Sequence, residues 1–299
     1  MTAATLRQDD GTALVTPWRA ARRRMLHHQG FLIGLGVIAA IVLMALAAPW
    51  LSPYDPYAQD LANRLMPPIW DARGTWAHVL GTDHLGRDYL TRLMYGARIS
   101  LVIGLGAASI GCLIGVTLGV SAGYFGGRVD QVVGYLLTCQ LALPTLLLAM
   151  ALVFLIGPSV PVVICIIGVL HWTYFLVVTR AATMQIRELD YVIAARALGC
   201  TRLEIISHEV LPNLLNQIIV IFTLEVGIAI IAEASLSFLG VGVPAPHPSW
   251  GLLIAEGRNS MFFRPWLVVI PGLVLFALVI AINLMGDGLR DVTAPENRN

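Results

Sequence analysis

Long uncharged apolar runs alternate with shorter polar stretches along this chain. A hydrocarbon layer about 30 Å thick takes about 20 predominantly apolar residues of helix to cross. Six runs approach or exceed that length, at 31–51, 99–124, 132–156, 160–178, 214–239 and 266–286. The pattern predicts an all-α polytopic membrane protein with six transmembrane helices. Gly111, Gly115, Gly119, Pro144, Pro271 and Gly272 fall inside these runs. Such residues would break a soluble helix, but in a membrane bundle neighbouring helices satisfy the freed backbone groups, and small residues permit close packing.

Two connections are too long to be simple turns. The first, 52–97, is rich in proline at its start and then reads HVLGTDHLGRDYLTRLMYGAR. Thr82 is placed there to cap a helix, and Asp83 with Arg87 and Asp88 with Arg92 stand at i, i+4 with the acid first. The expectation is an amphipathic helix lying on the outer membrane surface. The second, 181–213, is polar and helix-prone.

Composition agrees with a membrane chain: 57% of the 299 residues are hydrophobic and 12% charged, against about half and a quarter in soluble domains. The net charge of +1 and the lack of a basic, aromatic-interleaved tract exclude nucleic acid as a partner. Charge does set orientation, since cytoplasmic flanks collect basic residues. Arg19, Arg22, Arg23 and Arg24 precede the first run, so the N-terminus is expected inside, and six spans return the C-terminus to the same side. Twelve of the nineteen arginines then fall inside, among them Arg7, Arg128, Arg180 and Arg298, and seven outside. A basic start followed by an apolar run also describes a signal peptide, with Ala45 to Ala48 as a cleavage region. The run is too long for that, and the first span is expected to be retained. Cys112, Cys139, Cys165 and Cys200 stand far apart with no metal or disulfide spacing, and the seven histidines, including the adjacent His27 and His28, form no ligand pattern.

The stretch YVIAARALGCTRLEIISHEVLPN at 191–213 resembles the cytoplasmic EAA loop of ABC importer permeases. Ala194, Ala195, Gly199, Leu211 and Pro212 match that pattern in register, while Ile193 stands for its Glu and Glu209 for its Ile. Three more stretches, GTDHLGRDYLTRLMYGARISL at 81–101, EASLSFLGVGVPAPHPSWG at 233–251 and NLMGDGLRD at 283–291, are similar to the second (C-type) permease subunit of the dipeptide, oligopeptide and nickel import class. That family often carries Arg where Val177 stands here. The resemblance implies the ABC importer permease fold, a bacterial plasma membrane location and a cytoplasmic coupling loop whose short helix seats in an ATPase groove. It also implies a second permease subunit as heterodimer partner, two ATPase subunits and an extracytoplasmic binding protein that delivers solute. Small Ala194 and Ala195 allow close approach, Gly199 allows a left-handed helix end, and Pro212 is expected to separate the second loop helix from the fifth span.

The resulting organisation is a cytoplasmic segment 1–30, a first span 31–51, an extracytoplasmic loop 52–97, a five-helix core 98–290 holding the coupling loop 181–213, and a cytoplasmic tail 291–299. No GxxxxGK[ST] loop occurs, so the chain is expected to carry no cofactor, with ATP bound by partner subunits. An intramembrane enzyme would need a nucleophile beside a base, and neither a G-x-S-x-G elbow nor a histidine within helical reach of Ser235 and Ser237 is found. An ion-coupled carrier would show internal repeats and no ATPase-docking loop. Glu225 and Glu233 share the fifth run, and a charge at mid-bilayer costs at least about 2.5–3.5 kcal/mol. Eight residues apart they differ by about 80° in direction, so both are candidates to line a translocation path. A buried, protonated or paired carboxyl is an equal reading for Glu225, and a structural hydrogen bond is the favoured one for Glu233.

Overall fold

The computed structural model describes Met25 and residues 28–293 of the chain. The N-terminal arginines Arg7, Arg19, Arg22, Arg23 and Arg24, together with His27 and Arg298, lie outside the described residues. Helices follow one another as α1 (Gln29–Leu51), α2 (Tyr89–Phe125), α3 (Gly127–Leu141), α4 (Thr145–Ile156), α5 (Val160–Leu170), α6 (Thr173–Ile186), α7 (Asp190–Ala197), α8 (Arg202–Ile205), α9 (Leu211–Phe238), α10 (Trp250–Gly257) and α11 (Trp266–Thr293). Five helical stretches are long and apolar enough to cross a membrane by themselves, and the α3–α4 pair, bent by 84°, passes the same test only when its two helices are taken together.

Four expectations need correction. The run 132–156 is not one straight helix: α3 and α4 meet at 84°. Pro144 begins α4 as its N-cap, and a proline disfavours helical backbone at the residue before it and cannot donate to the preceding turn. The run 160–178 is interrupted at His171 and Trp172, between α5 and α6. In the outer connection, the chain from Thr82 to Arg87 is a tight loop rather than an amphipathic surface helix. Gly81 and Gly86 adopt φ of +77° and +75°, and a Cβ at Gly86 would lie 1.7 Å from the Asp60 carbonyl oxygen. Asp88, not Thr82, caps the following helix by accepting from the Thr91 backbone N–H at 2.8 Å, and α2 starts well inside 52–97. Finally, Pro212 does not break a helix. It sits in the first turn of α9, which continues from α8 through a π turn at Ile206–Val210. The wider turn, in which the Leu211 N–H reaches back to the Ile206 carbonyl, makes room for a ring that would otherwise strike the carbonyl four residues earlier.

The bundle forms around α2, 37 residues long and about 55 Å from end to end. Gly115 and Gly119 let α6 approach closely: a Cβ at Gly115 would meet the Trp172 carbonyl oxygen at 2.3 Å, and one at Gly119 the Thr179 hydroxyl at 2.1 Å. One apolar core joins α1, α2, α9, α10 and α11 through Ile41, Leu93, Ile230, Trp250 and Leu278. A second joins α2, α4, α5 and α9 through Ile103, Val153, Ile167 and Ala229. Trp250 is fully enclosed and donates its indole N–H to the Leu93 carbonyl at 3.0 Å. These contacts set the positions of the two ends of the bundle and of two cavities along α9.

Candidate translocation groove and coupling loop

At one end of α2 the 189–213 segment, the candidate coupling loop, is built from local rules. α7 carries Asp190 in its first turn, where a carboxylate offsets the helix dipole. It ends at Gly199, whose φ is +89°. The Gly199 N–H bonds the Arg196 carbonyl and the Cys200 N–H bonds the Ala195 carbonyl, both at 3.1 Å, the double closure that a left-handed glycine permits. α8 then opens with a reciprocal cap between Thr201 and Glu204. Val192, Ile205, Val210 and Leu214 are buried and pack with Val120, Tyr124 and Ala182, so the loop is seated on the bundle. Leu211 and Ala195 pack against the same cluster. Ala194 and Pro212 are exposed. On the outward face Leu198 is 86% exposed and Leu203 77%, beside half-exposed Tyr191 and Ile193. The loop thus presents an apolar edge on a rigid base, the form of a surface made to be covered.

At the opposite end of α2 lies a charge network. The Arg87 Nε donates to Asp83 at 2.7 Å, and Arg92 donates to both Asp83 (2.6 Å) and Glu256 of α10 (2.5 Å). The expected Asp83–Arg87 pair forms. The expected Asp88–Arg92 pair does not, because Asp88 is taken by His78 at 2.9 Å and by Thr91. Burial works against the charge on Asp83, yet the guanidiniums of Arg92 and Arg87 outweigh it and hold the carboxyl below its ordinary 3.8. Asp83, His84 and Glu256 bring ligand-type atoms within 4.8 Å of one another, but both carboxylates are already held by guanidiniums, whose charge opposes a cation.

Between the two ends, one face of α9 borders two cavities. The inner one, about 600 Å³, is lined by Asn213, Asn216, Gln217, Leu224 and Arg290 among others. The outer one, about 250 Å³, lies against Thr145, Leu146, His171, Ile228, Ile231 and Ser235 among others. Asn213, Gln217, Leu224, Ile228 and Ser235 recur at alternating steps of four and seven, which places them on one helical stripe. Glu225 lines neither cavity. It is 1% exposed, and its Oε2 lies 3.2 Å from the Nδ1 of His171. Glu233 is sealed in the bundle, where its Oε1 accepts from the hydroxyls of Ser237 (2.7 Å) and Ser249 (2.8 Å). Ser249 caps α10, so Glu233 ties the outer end of α9 to that helix. Sequence reasoning missed His171, Asn216, Gln217 and Glu256. For His171 there was a signal, since it is the one imidazole inside an apolar run.

Residues 115–299 match the family described as binding-protein-dependent transport system inner membrane component, and residues 16–68 match the N-terminal TM domain of oligopeptide transport permease C. The chain is similar to the di/tripeptide transport system permease protein DppC of Pseudomonas aeruginosa, at 40% identity over 97% of this chain and 96% of that one. It is also similar to the dipeptide transport system permease protein DppC of Haemophilus influenzae, at 40% over 90% and 91%. The glutathione transport system permease protein GsiD of Pectobacterium atrosepticum is 36% identical over 94% and 92%.

Proposed function

The chain belongs to the family of binding-protein-dependent transport system inner membrane components, and from that premise we propose that it carries small peptides as the C-type permease of an ATP-driven importer. It is a multi-pass transport subunit of the inner membrane and not an enzyme. In this reading a second, non-identical permease covers the α9 stripe and completes the path. Two ATPase subunits bind ATP, one of them receiving the 189–205 edge, and an extracytoplasmic binding protein delivers the peptide. Both termini and 181–213 face the cytoplasm, and the Asp83–Arg92 network faces outward. Peptides are favoured over other solutes by the names of the relatives described above.

The observation that carries the proposal is the coupling loop: an exposed apolar edge held on a buried base and closed by one left-handed glycine. A Cβ at Gly199 would meet nothing within 4 Å, so a substitution there strains the backbone without disturbing packing. Val at this φ costs about 1 kcal/mol or more. Gly199→Val is expected to leave the protein in the membrane at normal abundance while abolishing dipeptide uptake and solute-stimulated ATP hydrolysis. Normal uptake by that variant removes the docking claim.

The path itself is supported by the α9 stripe, polar at the coupling-loop end and more apolar beyond. Glu225 joins it only through His171, and Glu233 serves as a structural tie outside it.

A further inference from the structure

The His171–Glu225 pair lies where the path changes from amide-lined to apolar. His171 is held from both sides. Its carbonyl lies beside Gly111 of α2, where even a Cβ would come within 3.2 Å, and its Nδ1 is fixed by Glu225. His171 borders the second cavity, its side chain is 14% exposed, and Nε2 has no hydrogen-bond partner among the described residues.

Which atom carries hydrogen follows from cost. Glu225 is 1% exposed, and His171 is its one hydrogen-bond partner among the described residues. An ionised carboxylate buried beside a neutral imidazole is uncompensated, which costs several kcal/mol. Three arrangements avoid that cost: a carboxylate beside an imidazolium, a protonated carboxyl donating to Nδ1, or a protonated carboxyl accepting from Nδ1–H. The third leaves the carboxyl O–H without a partner among the described residues, which costs about 1–3 kcal/mol. In the first two, which avoid both costs, hydrogen sits on Nε2. The cavity therefore receives a donor, and the charge of Glu225 stays behind the ring.

We propose that His171 is a binding residue for the C-terminal carboxylate of the passing peptide, with Glu225 as the positioning residue that fixes its tautomer. The inference rests on the peptide-path reading above. A carboxylate oxygen takes the Nε2 hydrogen directly; Ser235 borders the same cavity, but its hydroxyl donates to the Ile231 carbonyl at 2.8 Å. An ammonium group, which has only donors, finds no acceptor on the imidazole.

The test compares uptake of alanyl-alanine with alanyl-alaninamide, both at saturating concentration, in cells carrying the whole transporter. Each variant is set against the wild type. The binding protein is the same in every strain, so its own preference cancels in the ratio of ratios. Because His171→Phe alone leaves Glu225 unpaired, the double variant His171→Phe/Glu225→Leu is measured beside it, since replacing both partners by apolar groups spares the buried carboxyl. Loss of one hydrogen bond to a charged group predicts that the free peptide slows about tenfold relative to the amide. Glu225→Gln, which leaves the tautomer unfixed, is expected to fall between. Equal slowing of both peptides, an unchanged ratio, or a double variant that does not assemble assigns the pair to structure alone and overturns the proposal.

A second measurement separates this outcome from failure of the path. With Cys112, Cys139, Cys165 and Cys200 replaced, Asn216→Cys and Ser235→Cys are exposed to a water-soluble methanethiosulfonate during transport. Labelling at both positions with an unchanged peptide ratio overturns the carboxylate site only. Absence of labelling at both overturns the path.

Discussion

Arg92 shows how much one side chain holds at the N-terminal end of α2. It is fully buried and bridges Asp83 of the loop to Glu256 of α10, while Arg87 spans the same two carboxylates. Two guanidiniums thus balance two carboxylates. Arg92→Met leaves one guanidinium for both and is expected to destabilise the complex by about 3–5 kcal/mol, read as a fall in thermal unfolding temperature in detergent. An unchanged midpoint would show that the network contributes no stability. Acid acts differently. The folded Asp83 has its pKa below 3.8, so its stabilising contribution is complete above that value and is lost as pH falls through the lower folded one. Proteolysis of the outer loop is therefore expected to begin only below about pH 3.8 in the wild type, and already at neutral pH in Arg92→Met. Residue spacing suggested Asp83–Arg87 correctly, because that pair is local. It could not suggest Arg92–Glu256, whose members are 164 residues apart and meet only after α10 folds against α2.

Among the elements, the α2–α6 contact depends on absent side chains. Gly115 and Gly119 accept the Trp172 carbonyl and the Thr179 side chain where any Cβ would intrude, whereas a Cβ at Gly134 of α3 would meet nothing within 4 Å. Gly115→Val and Gly119→Val are each expected to cost about 1–3 kcal/mol or more through overpacking. Gly134→Val should cost less than either. Abundance in the membrane and thermal midpoint of the purified complex check this, and equal behaviour of all three variants would contradict the close approach. Apolar length alone located the five helical stretches long enough to cross and the bent α3–α4 pair, because the bilayer's thickness acts on length directly. Where helices bend was hidden: Pro144 breaks the third run while Pro271 lies inside an unbroken α11. The same residue type had opposite outcomes, decided by neighbours. In the coupling loop the glycine-ended helix was readable at Gly199 because its cause is local, but the fate of Pro212 depended on the π turn before it.

For the whole molecule, α2 separates two chemically different ends. One carries the Asp83–Arg92 network, and at the other Arg196 and Arg202 stack over Tyr124 and Phe125. Single cysteines at Asp71 and Arg202 in a background without native thiols test the orientation. A membrane-impermeant reagent added to intact cells is expected to label Asp71→Cys and spare Arg202→Cys, and the reverse result would invert the topology. The π turn at Ile206–Val210 has a consequence for how these ends communicate. It is in effect a helix with one residue inserted, and one residue is about 100° of rotation. The face that α8 shows to a partner is therefore out of phase by that angle with the stripe of α9 above it. The two halves of one continuous rod address different neighbours, and a single deletion within those five residues would rotate the exposed Leu203 edge relative to the α9 stripe.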